Sequence, residues 1–271
     1  MEEYLERCRN RNLEQKKVWY ADVVEAYDRA RPRYGEDQIR RSLELAKLAP
    51  GARLLEIGCG PGTATVAYAR LGFSVLALEP NAVMSRSAES NCTPYPAVEV
   101  RTTTFEEWPV EAEKFDAVLA ATSFNWVSPE SYPKVAQALR RNGSLLLLWN
   151  TRMQPGREVW RVLQEIYETH APALAHLETR AEQESSLRKF GQRIVASGRF
   201  CDLVYEQYIR EATYTVDDYL LLLNTYSPYL ALTPPNRNAL FEALSERILA
   251  NFGEQVQLFY LSALQVARRA D

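Results

Sequence analysis

"LLEIGCGPGT", residues 54–63, places Gly58, Gly60 and Gly62 within five positions, directly after an apolar run. The segment "ARLLEIG" (52–58) is short and apolar, of buried-strand type, and 63–71 reads as a helix. The glycines therefore sit where a strand hands over to a helix. In an open parallel sheet, ligands bind beyond the carboxyl ends of the strands. Only glycine combines freedom in φ with the absence of a Cβ, which lets backbone touch a ligand. A tight turn without a ligand needs one glycine. Three of them, alternating with Cys59 and Pro61, point to a bound molecule.

The spacing limits what that molecule is. It is G-x-G-x-G, whereas the dinucleotide fingerprint is G-x-G-x-x-G. Glu56, inside the strand end, would repel a phosphate and favour a cation. No G-K-[ST] follows, so the turn is not a nucleotide-triphosphate loop. Glu79 closes the second strand, "FSVLALE" (73–79), and an acid about 20 residues downstream suits hydrogen bonds to ribose hydroxyls. The ligand reads as a nucleoside with a positive, phosphate-free appendage. S-adenosylmethionine fits that description, and a nicotinamide oxidoreductase does not fit the glycine spacing.

Around the turn, strands and helices alternate. An amphipathic helix is expected over 13–30, with Tyr20, Val23, Val24 and Tyr27 on one stripe, ended by Pro32. A helix over 36–49 precedes the first strand. Helices over 81–90 and 131–141 separate strands 97–103, 115–122 and 144–150, with Gly143 placed as a C-cap. This pattern predicts an α/β fold with a parallel sheet covered on both faces. Beyond 155 the pattern is mixed: helices at about 155–170, 180–197, 215–224 and 235–251, and strand-like runs at 203–214 and 256–269. Region 170–200 reads as another part of the lid or, in preference, a solvated insertion. One domain is expected over 1–271: a helical lid (1–50), a cofactor-binding core (51–150) and a C-terminal half (151–271).

"LLEIGCGPGT", "VLALEPN", "FDAVLAATSFNW" and "LRRNGSLLLLWN" resemble the successive motifs of class I S-adenosylmethionine-dependent methyltransferases. The resemblance is good over about residues 15–150 and weaker beyond, and "AYDRARPRY" is similar to the entry segment of a small-molecule, trans-aconitate-type subgroup. It implies a Rossmann-like, mostly parallel sheet of seven strands whose last pair forms a reversed hairpin, giving 203–214 and 256–267 a place. It also implies roles. Gly58, Cys59, Gly60 and Gly62 would line the methionine part of the cofactor, and Glu56 its ammonium. Glu79 and Pro80 would meet the ribose, and Asn81 and Met84 the ribose and adenine. Thr104, Phe105 and Glu106 would frame the adenine edge, where family members often carry an Asp. Thr122, Ser123 and Phe124 would face the methyl sulfonium.

Methyl transfer from a sulfonium is an in-line displacement, so the protein mainly positions the nucleophile in a dry pocket. A base is needed only for an acceptor protonated at neutral pH. No histidine is placed for that work, and a carboxylate arrives already ionised. An organic acid or similar small molecule is therefore the expected acceptor. No catalytic residue is assigned; Asn125, Trp126 and Tyr226 are positioning candidates. Trp126 forms either an acceptor wall, as aromatic faces can for a cation, or packing beneath the next helix. Tyr226 and Ser227 either close the acceptor pocket or form a plain helix–helix turn around Pro228. The segment "YDRARPRY" (27–34) is expected to be a lid, with Tyr20, Tyr27 and Tyr34 near the site and Arg31 gripping a carboxylate of cofactor or acceptor.

Composition excludes other classes. Among 271 residues, 32 Lys and Arg against 35 Asp and Glu give a formal charge of -3, not the basic surplus of a nucleic-acid binder. The stretch Arg7, Arg9, Arg11, Lys16, Lys17 reads as a solvated helix face. DNA amino-methyltransferases carry an N/D-P-P-Y/W motif where this chain has "SFNW". Cys8, Cys59, Cys92 and Cys201 share no metal-ligand spacing, and His170 and His176 read as surface or packing residues, so no metal is expected. The few cysteines suit a cytoplasmic setting. No apolar run is long enough to span a bilayer. A monomer or weak homodimer is expected. RNA or protein methylation on the same fold, or a non-catalytic S-adenosylmethionine-binding module, are the alternatives.

Overall fold

Five short runs of apolar residues alternate in side-chain direction, and that alternation builds the sheet. The computed structural model describes residues 12–270; Arg7, Cys8, Arg9 and Arg11 lie outside the described residues. Strands β1 (Arg53–Ile57), β2 (Ser74–Leu78), β3 (Val98–Arg101), β4 (Phe115–Ala121) and β5 (Leu139–Asn150) pair in parallel in the order β3-β2-β1-β4-β5. Leu54 of β1 points to one apolar cluster and Leu55 to another, as the two-residue period of a strand requires. One face is covered by α3 (Glu36–Leu45), α4 (Thr63–Ala69) and α5 (Ala82–Cys92), through Ile39, Tyr68 and Ala88. The other is covered by α6 (Tyr132–Ala138) and α8 (Arg180–Ala196), through Val135, Leu187, Phe190 and Ile194.

The sheet ends in the reversed hairpin that the resemblance implies. Strand β8 (Gln255–Arg269) runs antiparallel to β5 and, along its other edge, to β7 (Phe200–Thr215). A two-residue strand, β6 (Gln154–Pro155), continues the β5 edge against Phe259 and Leu258 and makes an eighth strand. Beyond this end lies a further apolar cluster. It joins α7 (Arg157–His170), α9 (Val216–Leu223) and α11 (Pro234–Phe252) through Leu163, Tyr219, Leu222 and Leu244. The single turn α10 (Ser227–Leu230) follows α9.

Three expectations are corrected. The helix expected over 13–30 is broken: α1 (Leu13–Val18) and α2 (Val24–Ala30) flank a 3₁₀ turn at Ala21–Val23. The break turns Trp19 and Tyr20 toward α10, where both hydrogen-bond Ser227. Region 170–200 is not a solvated insertion, because α8 buries Leu187, Phe190 and Ile194 on the sheet. Its apolar stripe is diluted by charged neighbours in the sequence. The helix expected to reach 141 stops at Ala138, and Leu139 is extended and buried, paired with Phe115. Gly143 is therefore no C-cap. The positive φ belongs to Asn142, at 61°, while a Cβ on Gly143 would meet the Arg140 carbonyl at 3.0 Å and the Asp116 carbonyl at 3.1 Å.

This assignment reverses the usual expectation for a cap. Asn142→Gly should change unfolding free energy by less than about 0.5 kcal/mol or raise it. Gly143→Ala should cost about 1–3 kcal/mol by overpacking. Urea denaturation of the two variants would show the opposite ranking if Gly143 were the cap.

Candidate active site

Beyond the carboxyl ends of β1, β2 and β4, a cleft opens between the strand-end turns and the α1–α2 segment. Its centre is organised by two buried carboxylates. Glu79 is 6% exposed; its Oε2 accepts from the Gly60 amide at 2.8 Å and its Oε1 from the Asn81 amide at 2.9 Å. Glu56 is fully buried and borders the cleft; its Oε2 accepts from the Thr65 hydroxyl at 2.6 Å, while its Oε1 has no hydrogen-bond partner. Burial pushes both carboxyls up to about 7, and Glu79 adds to the rise at Glu56 by like-charge repulsion.

The glycines divide in function. Gly58 and Gly60 border the cleft with φ of 68° and 57°. A Cβ on Gly58 would strike Ser123 at 2.9 Å, whereas one on Gly60 would find nothing nearer than Met84 Sδ at 3.9 Å. Gly62 does not border the cleft. Its φ of 86° starts α4, and a Cβ there would press on Ala88 and Cys92 of α5 at 3.4 Å. Cys59, Pro80 and Met84 border the cleft; Asn81 does not, and caps α5 by accepting from the Val83 and Met84 amides.

At the β4 end, Thr122 and Ser123 border the cleft, but Phe124 and Asn125 do not. Phe124 stacks on Tyr132 at 5.4 Å in the core, and Asn125 is 2% exposed. The cause is the 3₁₀ turn Phe124–Trp126, which sends the consecutive side chains of Phe124 and Asn125 inward and returns Trp126 to the cleft. Thr122 has φ 55°, a strained conformation for a β-branched residue. It is held by its amide to Leu148 O at 2.7 Å and by its hydroxyl to Tyr34 OH at 2.9 Å and the Asn150 amide at 3.2 Å.

The loop after β3 contributes Thr104, Phe105 and Glu106 to the cleft. Lys134 anchors this loop by donating to the carbonyls of Phe105, Glu106 and Trp108. Across the cleft, Tyr20, Tyr27, Arg31 and Tyr34 form the opposite wall. Arg31 lies over the rings of Tyr27 at 4.7 Å and Tyr226 at 4.0 Å, and donates to the Thr225 hydroxyl and carbonyl at 2.7 and 2.6 Å. Tyr226 and Ser227 stand behind this wall rather than in the cleft.

Sequence reasoning missed Lys16, which belonged to a stretch read as solvated. Its side chain is 8% exposed, lies in the cleft wall, and bonds Glu106 at 3.2 Å and the Trp126 carbonyl at 2.6 Å. Nothing local in "LEQKKV" distinguishes it. Asn150 and Thr151 were also missed, although their place at the end of β5 was a usable signal.

Residues 54–143 match the family model described as a methyltransferase domain. Over 134 residues, 49% of the chain and 52% of the relatives, it is 34% identical to uncharacterized methyltransferases of Mycobacterium bovis and Mycobacterium tuberculosis. The chain thus spans about half the length of these curated relatives. The methyltransferase fold extends further. A structure described as a type II methyltransferase of Anaeromyxobacter dehalogenans aligns over 88% of this chain and 97% of its own, with TM-score 0.64 and 20% identity. Phosphoethanolamine N-methyltransferase 2 of Haemonchus contortus, solved with phosphomonomethylethanolamine and S-adenosylhomocysteine, aligns over 97% of this chain and 60% of its own, with TM-score 0.51 and 14% identity. The architecture is the Rossmann-like one of class I S-adenosylmethionine-dependent methyltransferases. Among the described residues, no helix is long and apolar enough to cross a membrane, and no group of three His, Cys, Asp or Glu side chains is placed to hold a metal.

The raised carboxyls predict an inverted pH response. Both bind protons more tightly folded than unfolded, so their contribution to stability falls as pH rises from about 4.5 to about 7. Glu56→Gln should therefore stabilise the ligand-free protein more at pH 8 than at pH 5, by on the order of 2 kcal/mol. Melting curves at the two pH values that shift equally would contradict this.

Proposed function

We propose that the protein transfers a methyl group from S-adenosylmethionine to a small acidic acceptor. The observation that carries this reading is the pair Glu56 and Glu79 around the Gly58–Gly60 turn. One carboxylate oxygen of Glu56 is buried at the cleft with no partner, and the face of Gly60 is open where any side chain would intrude. These residues fit a nucleoside with a cationic tail. When bound, S-adenosylmethionine supplies a methyl group already activated by a sulfonium charge.

The chain's own groups then have distinct tasks. Glu56 holds the ammonium and Glu79 the ribose hydroxyls, with Gly58, Cys59 and Gly60 giving backbone contact. Met84, Thr104, Phe105 and Glu106 border the adenine, and Thr122, Ser123 and Trp126 wall the reacting end. Asn81, Gly62 and Phe124 act through structure: they cap α5, seat α4 and fill the core. No histidine borders the cleft, which favours an acceptor already ionised at neutral pH over one needing a general base. The α1–α2 segment encloses the cleft through Lys16, Trp19, Tyr20 and Arg31. That enclosure favours a small acceptor over an RNA or a protein chain. Arg31, fixed to Thr225 through Nε and Nη2, gives this wall a positive charge that favours an acidic acceptor.

Calorimetry with S-adenosylhomocysteine tests the cofactor reading. Glu79→Ala should weaken binding at least tenfold, about 1.4 kcal/mol, through lost charged hydrogen bonds. Binding of NAD but not S-adenosylhomocysteine by the unaltered protein would reject it. Arg31→Ala should lower turnover at least tenfold on a panel of organic acids, followed as product mass plus one methyl. Full turnover would remove Arg31 from the acceptor site.

A further inference from the structure

At the carboxyl end of β4, two hydroxyls meet in the cleft wall. Tyr34 OH, from the segment between α2 and α3, lies 2.9 Å from Thr122 Oγ1, and both residues border the cleft. Thr122 Oγ1 also accepts from the Asn150 amide at 3.2 Å. Among the described residues, neither hydroxyl has a further partner. The Asn150 side chain donates to the Pro32 carbonyl at 3.3 Å and accepts from the Ser262 hydroxyl at 2.8 Å. These bonds seat the segment carrying Tyr34 against the strand ends.

The pair holds one proton more than it uses. Each hydroxyl carries one proton, and their mutual bond takes one of the two. If Tyr34 donates, Thr122 accepts twice, from Tyr34 and from the Asn150 amide, and its own proton is left. If Thr122 donates, the Tyr34 proton is left. Either orientation leaves one hydroxyl proton without a protein acceptor, on a residue that borders the cleft. Both side chains are half-buried, where an unmatched donor costs free energy. The φ of 55° at Thr122 adds strain at the same place. Burial raises the Tyr34 phenol far above its usual range, so it keeps its proton and serves as a donor rather than a base.

We propose that the Tyr34–Thr122 hydroxyl pair is a donor that holds one oxygen of a carboxylate bound in the cleft, either the acceptor's or that on the methionine end of S-adenosylmethionine. The inference rests on the reading of the cleft as a methyl-transfer site with a small acidic acceptor. A carboxylate oxygen has the lone pairs and the charge to take the spare proton, and hydrogen bonds to charged groups are the stronger ones. An ammonium N–H would meet that proton head-on. Arg31 adds positive charge on the same wall. The pair therefore favours an oxygen anion over an ammonium at the β4 end of the cleft. A plain latch between the N-terminal segment and β4 would behave differently. Removing either hydroxyl breaks a latch completely, whereas removing either one from a donor pair leaves the other with its proton available.

The test uses the full chain, calorimetry and three probes. They are S-adenosylhomocysteine, methylthioadenosine, which lacks the methionine carboxylate, and citrate, titrated with and without saturating S-adenosylhomocysteine. Tyr34→Phe and Thr122→Val should each weaken the carboxylate probe no more than about threefold, and the double variant at least tenfold, a coupling that a double-mutant cycle reads directly. Methylthioadenosine affinity should stay within twofold throughout. Loss for S-adenosylhomocysteine assigns the cofactor's carboxylate. Loss for citrate in the S-adenosylhomocysteine complex, with S-adenosylhomocysteine unchanged, assigns the acceptor's. A double variant that binds every probe within twofold of the unaltered protein overturns the proposal. So does a single substitution as costly as the double, the mark of a latch. If the unaltered protein binds neither S-adenosylhomocysteine nor methylthioadenosine, the cofactor reading fails and the cofactor-free citrate titration still decides the pair; absence of citrate binding there overturns the pair as well. Should Thr122→Val fail to fold, Thr122→Ala, free of β-branching at this φ, replaces it with the same expected ranking.

Discussion

The Glu79 carboxylate ties two strand-end turns together, and the site depends on that tie. One oxygen takes the Gly60 amide from the β1–α4 turn, and the other takes the Asn81 amide at the start of α5. Two loops far apart in the chain are thereby held at one spacing without a ligand. The arrangement carries a penalty, since burial raises the carboxyl to about 7 and the neighbouring Glu56 shares the same low-dielectric pocket. A buried charge without full compensation is tolerated mainly where function requires it.

The α1–α2 segment completes the site by a different physics. It brings polar and aromatic contacts rather than a broad apolar face: Lys16 to Glu106, Lys17 to Glu107 at 3.1 Å, Trp19 and Tyr20 to Ser227, and Arg31 between two tyrosines. Val23, Val24 and Ala30 supply the burial that keeps it seated. Contacts of this kind are worth little individually at exposed positions. They gain weight here because Lys16 and Arg31 are screened from water by the segment they anchor.

Strand β8 links the core beneath the cleft to the helical layer beyond it. Its Leu264 and Val266 pack beneath the helices beside the cleft, while its Val256 and Leu258 pack with α7, α9 and α11. The cleft wall that carries Arg31 is therefore supported from both regions. Tyr226, placed by the α9–α10 turn, touches Arg31 from the N-terminal segment and Met153 from the β5 end.

Much of this was legible in the sequence, and particular residues show where legibility ends. Strand and helix identities over 52–150 follow from local periodicity, because each apolar run reports its own burial. The glycine turn and Glu79 are local as well: the positive φ at Gly58 and Gly60 and the strand-end acid need no distant partner to be recognised. Lys16 is different, because its burial is imposed by residues about 90 positions away. Gly143 failed as a cap for the same reason: pairing of Leu139 with Phe115 in the core overrode the local signal of "RRNG". Sequence alone settled the architecture and located the glycine turn and its strand-end acid, which local backbone demands encode. Tertiary structure alone decided which charges line the cleft, because the sequence records a charge but not the water excluded from it.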